Sequence, residues 1–226
     1  MKKLILVVLA LLAGGMVLRA DNLSSDRKSS FFVSLSGGPM LNIYENYFTY
    51  SENGKSLTSY QVALSLEYDY SRAVGFRFQT EFGKNVGACN VMETSEGGFY
   101  PYNFHNITGF GDVILDLAGL AQSDSPFSIK LFAGAGAAYT FNFTDSGHPW
   151  QIVNDKNWAF GFRFGAIAEY NLPFGLGVFA ELYPEFYTDG YNGLEPSNED
   201  MKRFDGYPGF PLDIRGLFTF GVLYRF

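Results

Sequence analysis

Side chains in this chain alternate in steps of two, and the charges keep to one side of the alternation. The clearest case, Ser59 to Tyr70, sets Tyr60, Val62, Leu64, Leu66, Tyr68 and Tyr70 against Ser59, Gln61, Ala63, Ser65, Glu67 and Asp69. A period of two belongs to a β-strand, whose successive side chains point to opposite faces. Seven further stretches read the same way: Phe31–Gly38, Val74–Gly83, Phe110–Leu117, Phe127–Phe143, Trp158–Leu172, Leu176–Tyr187 and Ile214–Phe226. Wherever one of them carries more than one charge, the charges share a parity, and the opposite face is almost wholly apolar. A sheet with one greasy face and one ionised face suits a cylinder closed inside a bilayer. The expected fold is therefore all-β: a closed, antiparallel, eight-stranded transmembrane β-barrel. Its rival, a soluble lipocalin-like barrel, would turn the apolar face inward and the charges out.

The first twenty residues stand apart from this pattern. Lys2 and Lys3 precede an apolar run from Leu4 to Ala13, and Val17-Leu18-Arg19-Ala20 offers a cleavage site, the form of a secretory signal peptide. Residues 1–20 are expected to be removed, 21–30 to form a short polar lead-in, and 31–226 to form the barrel. Of the 16 basic residues three fall in the leader, and the chain carries 23 acidic ones, so clustered positive charge for nucleic acid is missing. Cys89 is the only cysteine and makes no disulfide framework. No internal stretch reaches the eighteen or so apolar residues of a membrane helix. Aromatics at 18% and 26 glycines favour strands instead.

Connections alternate in length. Ser71–Ala73, Gly119–Pro126 and Leu172–Gly175 are short; Met40–Thr58, Lys84–Asn106, Thr144–Asn157 and Thr188–Leu212 are long and polar. That is the layout of short periplasmic turns and four long extracellular loops, with both termini on the short side. Pro184 is the misfit on a strand, expected near the upper rim with its missing N–H turned to solvent. The segments at 134–143 (GAGAAYTFNF), 158–186 (WAFGFRFGAIAEYNLPFGLGVFAELYPEF) and 218–226 (FTFGVLYRF) resemble the small outer-membrane β-barrels of Gram-negative bacteria, the OmpA/OmpX-like group. The likeness covers the whole mature chain, and its abundance of Phe and Tyr with an acidic balance looks like Bacteroidota versions; it extends to no peptidoglycan-binding domain. It implies residence in the outer membrane. It also implies that the closing strand, through Tyr224 and Phe226, is the signal read by the barrel-insertion machinery.

If the apolar face meets lipid, the ionised face fills a narrow lumen. Hairpin closure through Ser71–Ala73 puts Glu67 across from Arg77, the next turn places Asp116 across from Lys130, and Arg163 falls opposite or diagonal to Glu181 or Glu185. With Glu81, Asp112 and Arg215 these form an expected structural ion-pair network, for which Gln61, Gln79, Tyr183, Thr140 and Asn142 offer hydrogen bonds. Asp69, Glu169 and Glu185, near strand ends, are expected to stay solvated.

Catalysis is not expected. Glu181 and Glu185 lie about 13 Å apart on an extended strand, too far for glycosidase work. Gly134-Ala135-Gly136 opens no helix and makes no phosphate loop. His105 precedes the fourth expected strand, and Asp145, Ser146 and His148 share a loop without the spacing of known outer-membrane enzymes. No cofactor or metal is expected; the acids of the last loop lack calcium-loop spacing. Loop aromatics Tyr47, Tyr50, Tyr100, Tyr102 and Trp150 offer recognition of an extracellular protein or glycan. The expected function is a monomeric, non-enzymatic outer-membrane barrel, structural or surface-interacting, touching lipopolysaccharide and closed by ion pairs. The alternatives are a narrow conduit or binder for small or hydrophobic molecules, and an enzyme acting on lipid A or peptides.

Overall fold

The computed structural model describes residues 30–42, 49–52, 55–91, 98–145, 156–188, 191 and 212–226. The expected leader and most of the lead-in lie outside them. Eight strands form one closed barrel: β1 (Ser30–Asn42), β4 (Tyr60–Asp69), β5 (Val74–Val91), β6 (Gly98–Asp116), β7 (Phe127–Asp145), β8 (Lys156–Asn171), β9 (Leu176–Thr188) and β10 (Leu212–Arg225). Each pairs antiparallel with its chain neighbour, and β1 meets β10 to close the ring, with Val33 opposite Tyr224 and Leu35 opposite Val222. The Phe226 amide donates to the Phe31 carbonyl at 2.9 Å, so the last residue finishes the seam. The short strands β2 (Thr49–Glu52) and β3 (Lys55–Thr58) form a separate hairpin in the first long connection, which carries no alternation to announce it. No helix among the described residues is long and apolar enough to cross a membrane, which leaves barrels untouched.

Facing follows the alternation. Leu64, Leu66, Phe78, Phe160, Phe164, Leu182 and Phe220 are exposed on the outer wall, Phe160 at 72%, while Gln79, Glu81, Arg163, Glu185 and Thr219 are buried within at 1% or less. A soluble barrel would show the reverse. Closure also leaves no free strand edge around the ring, so the backbone polar groups of the wall pair within the sheet except where Pro184 interrupts β8 and β9.

Three local features depart from the expected pattern. The strands at the long-loop end run further than their alternating stretches, because β5 and β6 stay paired as far as Val91 opposite Gly98. This puts His105, Tyr100 and Tyr102 on β6 rather than in a loop. On β7 an extra residue interrupts the register, Asn103 pairing Thr144 but His105 pairing Phe141. Asn142 takes φ 56 there, a left-handed conformation that asparagine tolerates well. The bulge inverts parity beyond it. Phe143, expected on the outer face, stacks inward on Phe104 at 4.8 Å, and Asn142, expected to serve the lumen, is exposed. Pro184 sits inside the sheet opposite Gly216, and the pairing of β8 with β9 lapses between Arg163–Glu185 and Ala166–Leu182, where proline has no N–H to give.

The second short turn holds a one-turn helix, α1 (Leu117–Leu120), whose start is capped by the Asp116 carboxylate accepting from the amides of Ala118 and Gly119. Arg72 of the first turn pairs with Asp124 at 2.6 Å, tying two turns together at the short-turn end.

Candidate functional site in the barrel lumen

Inward positions of neighbouring strands meet in rows, and the richest row crosses β6, β7 and β8 through Asp112, Gly134 and Arg163. Glycine is required in the middle. A Cβ on Gly134 would stand 2.1 Å from Asp112 Oδ1 and 2.4 Å from the Gly111 carbonyl. With only hydrogen there, Arg163 reaches over β7 and grips Asp112 with two parallel bonds, Nε to Oδ1 at 2.9 Å and Nη2 to Oδ2 at 2.7 Å. Such a fork is the strongest form of carboxylate recognition. Arg163 Nη1 turns to Glu81 at 2.5 Å and to Glu185 at 3.3 Å.

Two further guanidiniums extend this centre. Arg77 donates from Nε to Asp112 at 2.8 Å and from Nη1 to Glu181. Arg215 donates to Glu185 through Nε, to Glu81 at 3.0 Å and Tyr187 Oη at 2.9 Å through Nη2, and to Tyr191 Oη at 2.7 Å through Nη1. Three cations thus meet four carboxylates, and neutral donors hold the excess anion. Gln79 and Thr108 donate to Glu81 at 2.8 and 2.9 Å, Tyr187 to Glu185 at 2.8 Å, and Thr219 to Glu181 at 3.2 Å. Removing ions from water is costly, and only this density of charge-assisted bonds offsets it. Arg77 and Arg163 also stack on aromatic faces, 4.5 Å above Phe132 and 4.3 Å above Phe110.

A second, smaller cluster sits toward the short-turn end. Lys130 donates to Glu67 at 2.7 Å and lies 2.8 Å from Glu169, with its ammonium 5.1 Å from the Phe32 ring centre. Between and around the ionic groups the lumen is filled by Phe32, Met40, Ile114, Ile167, Phe179, Leu217 and Leu223. At the long-loop end Tyr191, from the β9–β10 connection, folds into the mouth. It stacks on Tyr187 at 4.2 Å, meets Phe104 edge-on, and bonds Arg215. Burial pushes its phenol above the ordinary range, so it stays a neutral hydroxyl at physiological pH.

No family model matches the chain, and no curated protein is significantly similar to it. Among solved structures, a major outer membrane protein from Thermus thermophilus aligns with 88% of this chain and 100% of its own at 16% identity and a TM-score of 0.52. Neisserial surface protein A gives 14% identity over 88% of this chain and 100% of its own, with a TM-score of 0.44. Outer membrane protein OprG from Pseudomonas aeruginosa gives 10% identity over 88% and 97%, with a TM-score of 0.46. The chain has the fold of the small outer-membrane barrels.

Within this barrel the residues singled out in the sequence come together unevenly. Glu67 is opposite Arg77, Asp116 opposite Lys130 and Arg163 opposite Glu185 in register. Yet ion pairs do not follow register alone, because long side chains reach across strands. Glu67 goes to Lys130, leaving Arg77 to Asp112 and Glu181. Glu181 is therefore not a partner of Arg163. Asp116 makes no ion pair among the described residues; besides capping α1 it accepts from Ser128 at 2.8 Å. Glu169 and Glu185, expected to be solvated, are buried and paired: Lys130 and Arg225 hold Glu169 at the short-turn end, while Arg215 and Tyr187, with Tyr191 stacked on it, hold Glu185 toward the mouth.

Gln61, Gln79 and Tyr183 do serve the lumen, Gln61 donating to Tyr183 Oη at 2.5 Å. Sequence reasoning missed Tyr191 because a loop has no period, and missed Phe110 and Phe132 as cation platforms because their apolar character on the ionised face read as noise. Tyr50 falls on β2, whereas Tyr47, Trp150, Ser146 and His148 lie outside the described residues. Asp145 ends β7.

Proposed function

We propose that this protein is an integral barrel of the bacterial outer membrane, without catalytic activity, whose lumen is closed by ion pairs and whose wall anchors surface-exposed loops. The observation that carries the reading is the inversion of polarity: exposed Phe, Leu and Val outside, buried Arg, Glu and Asp inside. A wall like this is stable against hydrocarbon and unstable against water. Aromatic rings near both rims, Trp158 and Tyr139 at one end and Tyr170, Tyr224 and Phe226 at the other, suit the headgroup level.

Lumen closure is supported by how completely Arg163, Arg215, Tyr183, Tyr187 and Phe110 are buried. An eight-stranded bore has room for side chains and little else. Insertion through the closing strand is supported by Tyr224 and Phe226, whose rings lie outward and pack edge to face at 5.0 Å. The four connections at the end opposite the termini would face outward from the cell, where loop aromatics would meet a protein or glycan.

The decisive experiment is spin labelling of the refolded protein in bilayers. Labels at Phe162 and Leu64 are expected to report hydrocarbon, and a label at the buried Thr219 is expected to be shielded from both lipid and water. Water accessibility at Phe162 and Leu64 would overturn the membrane reading. Extraction of the protein from membranes by carbonate would do the same.

A further inference from the structure

Among the described residues, the outer wall carries charges at one end alone, and both are positive. On outward-facing positions of the eight barrel strands, the charged residues among those described are Lys84 on β5 and Lys156 on β8. Neither belongs to an alternating stretch of the sequence. Both enter the wall because β5 and β8 extend beyond those stretches at the long-loop end. They stand in one cross-strand row: Tyr60 pairs Lys84, Lys84 pairs His105, His105 pairs Phe141 and Phe141 pairs Lys156. The row from Lys84 to Lys156 crosses three strand spacings, roughly 14 Å. Neither lysine has an ion-pair partner among the described residues, although the chain as a whole has an acidic excess.

Immediately below lies an aromatic shelf. Phe82 is two residues below Lys84, and Trp158 two residues below Lys156, with Tyr139 and Trp158 rings 4.9 Å apart. His105 is clamped between Phe82 at 5.8 Å and Phe141 at 5.9 Å, which fixes a nitrogen-bearing ring between the two lysines. Rings of this kind mark the level where acyl chains give way to headgroups. Lysine stems lie along such apolar surface while their ammonium groups stay in the polar layer.

We propose that Lys84, His105 and Lys156 form a binding site on the outer wall for the phosphate groups of a lipid headgroup, with the acyl chains lying on Phe82, Tyr139 and Trp158. The inference rests on the outer-membrane reading above and adds a ligand class to it. Unpaired cations, the absence of acids from the same row, and the adjoining shelf together select an anionic lipid over a soluble anion, which would have no use for the rings. Ammonium–phosphate contacts are charge-assisted and strong at the edge of a low-dielectric layer.

Native mass spectrometry of the full-length refolded protein in micelles tests this with two probes, phosphorylated lipid A and its dephosphorylated form. The wild type is expected to retain the phosphorylated lipid and to release the other. K84Q/K156Q is expected to bind it at least tenfold more weakly, as each lysine near an anionic lipid surface contributes about a fivefold gain. K84R/K156R is expected to keep the affinity, and R72Q, at the other end of the barrel, to leave it unchanged. Equal retention of both lipids by the wild type, or unaltered binding by folded K84Q/K156Q, overturns the proposal. Loss of the wild type from membranes in carbonate would instead fell the reading beneath it.

Discussion

Arg163 concentrates the energetics of the lumen in one side chain, since it holds Asp112 by a fork and touches Glu81 and Glu185 as well. Breaking a buried ionic cluster by removing one partner costs about 3–5 kcal/mol, because the remaining charges stay buried. Arg163→Met is therefore expected to lower the urea midpoint of the heat-modifiable band by that equivalent. Asp112→Asn in the same chain should recover part of the loss; a double variant no more stable than the single one would break the assignment. Gly134 tests the same contact from the backbone side. Gly134→Val drives a side chain into Asp112 and the Gly111 carbonyl, and overpacking of this kind costs about 1–3 kcal/mol or prevents folding. Normal refolding yield and thermal midpoint for that variant would contradict the close approach.

Among the elements, β7 has the most specific device. Its bulge at Asn142 turns Phe143 into the mouth cluster with Phe104 and Tyr191, so a left-handed residue in one strand decides which ring enters the mouth. Asn142→Gly should leave stability within about 0.5 kcal/mol, whereas Asn142→Val should cost about 1–2 kcal/mol, since a β-branched residue resists positive φ. Comparable denaturation midpoints for the two variants would show that the bulge is not held by that conformation. The extension of β5 and β6 past their alternating stretches follows from backbone pairing, which proceeds wherever two strands remain aligned, whatever their side chains.

At the scale of the whole molecule, the proposed closure makes the ring with its ionic and aromatic filling a plug, and conductance tests it. Reconstituted into planar bilayers, the wild type is expected to show no stepwise conductance. Tyr191→Ala removes the ring stacked on Tyr187 and bonded to Arg215 at the mouth, and should raise water access to the upper lumen, read by solvent relaxation at a label on β9, without opening conductance. Discrete channel openings in the wild type would favour the conduit reading over the plug. The exterior tells a complementary story: hydrocarbon-facing residues through the belt, aromatic rings at the edges, and two lysines above the shelf at one end.

Strand count and the sorting of side chains into one ionised and one apolar face were legible in the sequence, because charges keep to one parity of a two-residue period; the structure decided against the soluble alternative by turning the ionised face inward. Register was legible too where a turn is short, as for Glu67 opposite Arg77. Ion-pair partners were not. A lysine or arginine side chain spans more than one strand spacing, so Glu67 reached Lys130, and Glu181 went to Arg77 instead of Arg163. Nor was Tyr191, which enters the mouth from a connection without any period, or Phe143, whose direction depends on a single bulge. The one-dimensional pattern determined which residues share a face along each strand, up to the bulge at Asn142. Only the tertiary structure decided which residues meet across the lumen, because that depends on closure, side-chain reach and the glycine gap over which Arg163 crosses to Asp112.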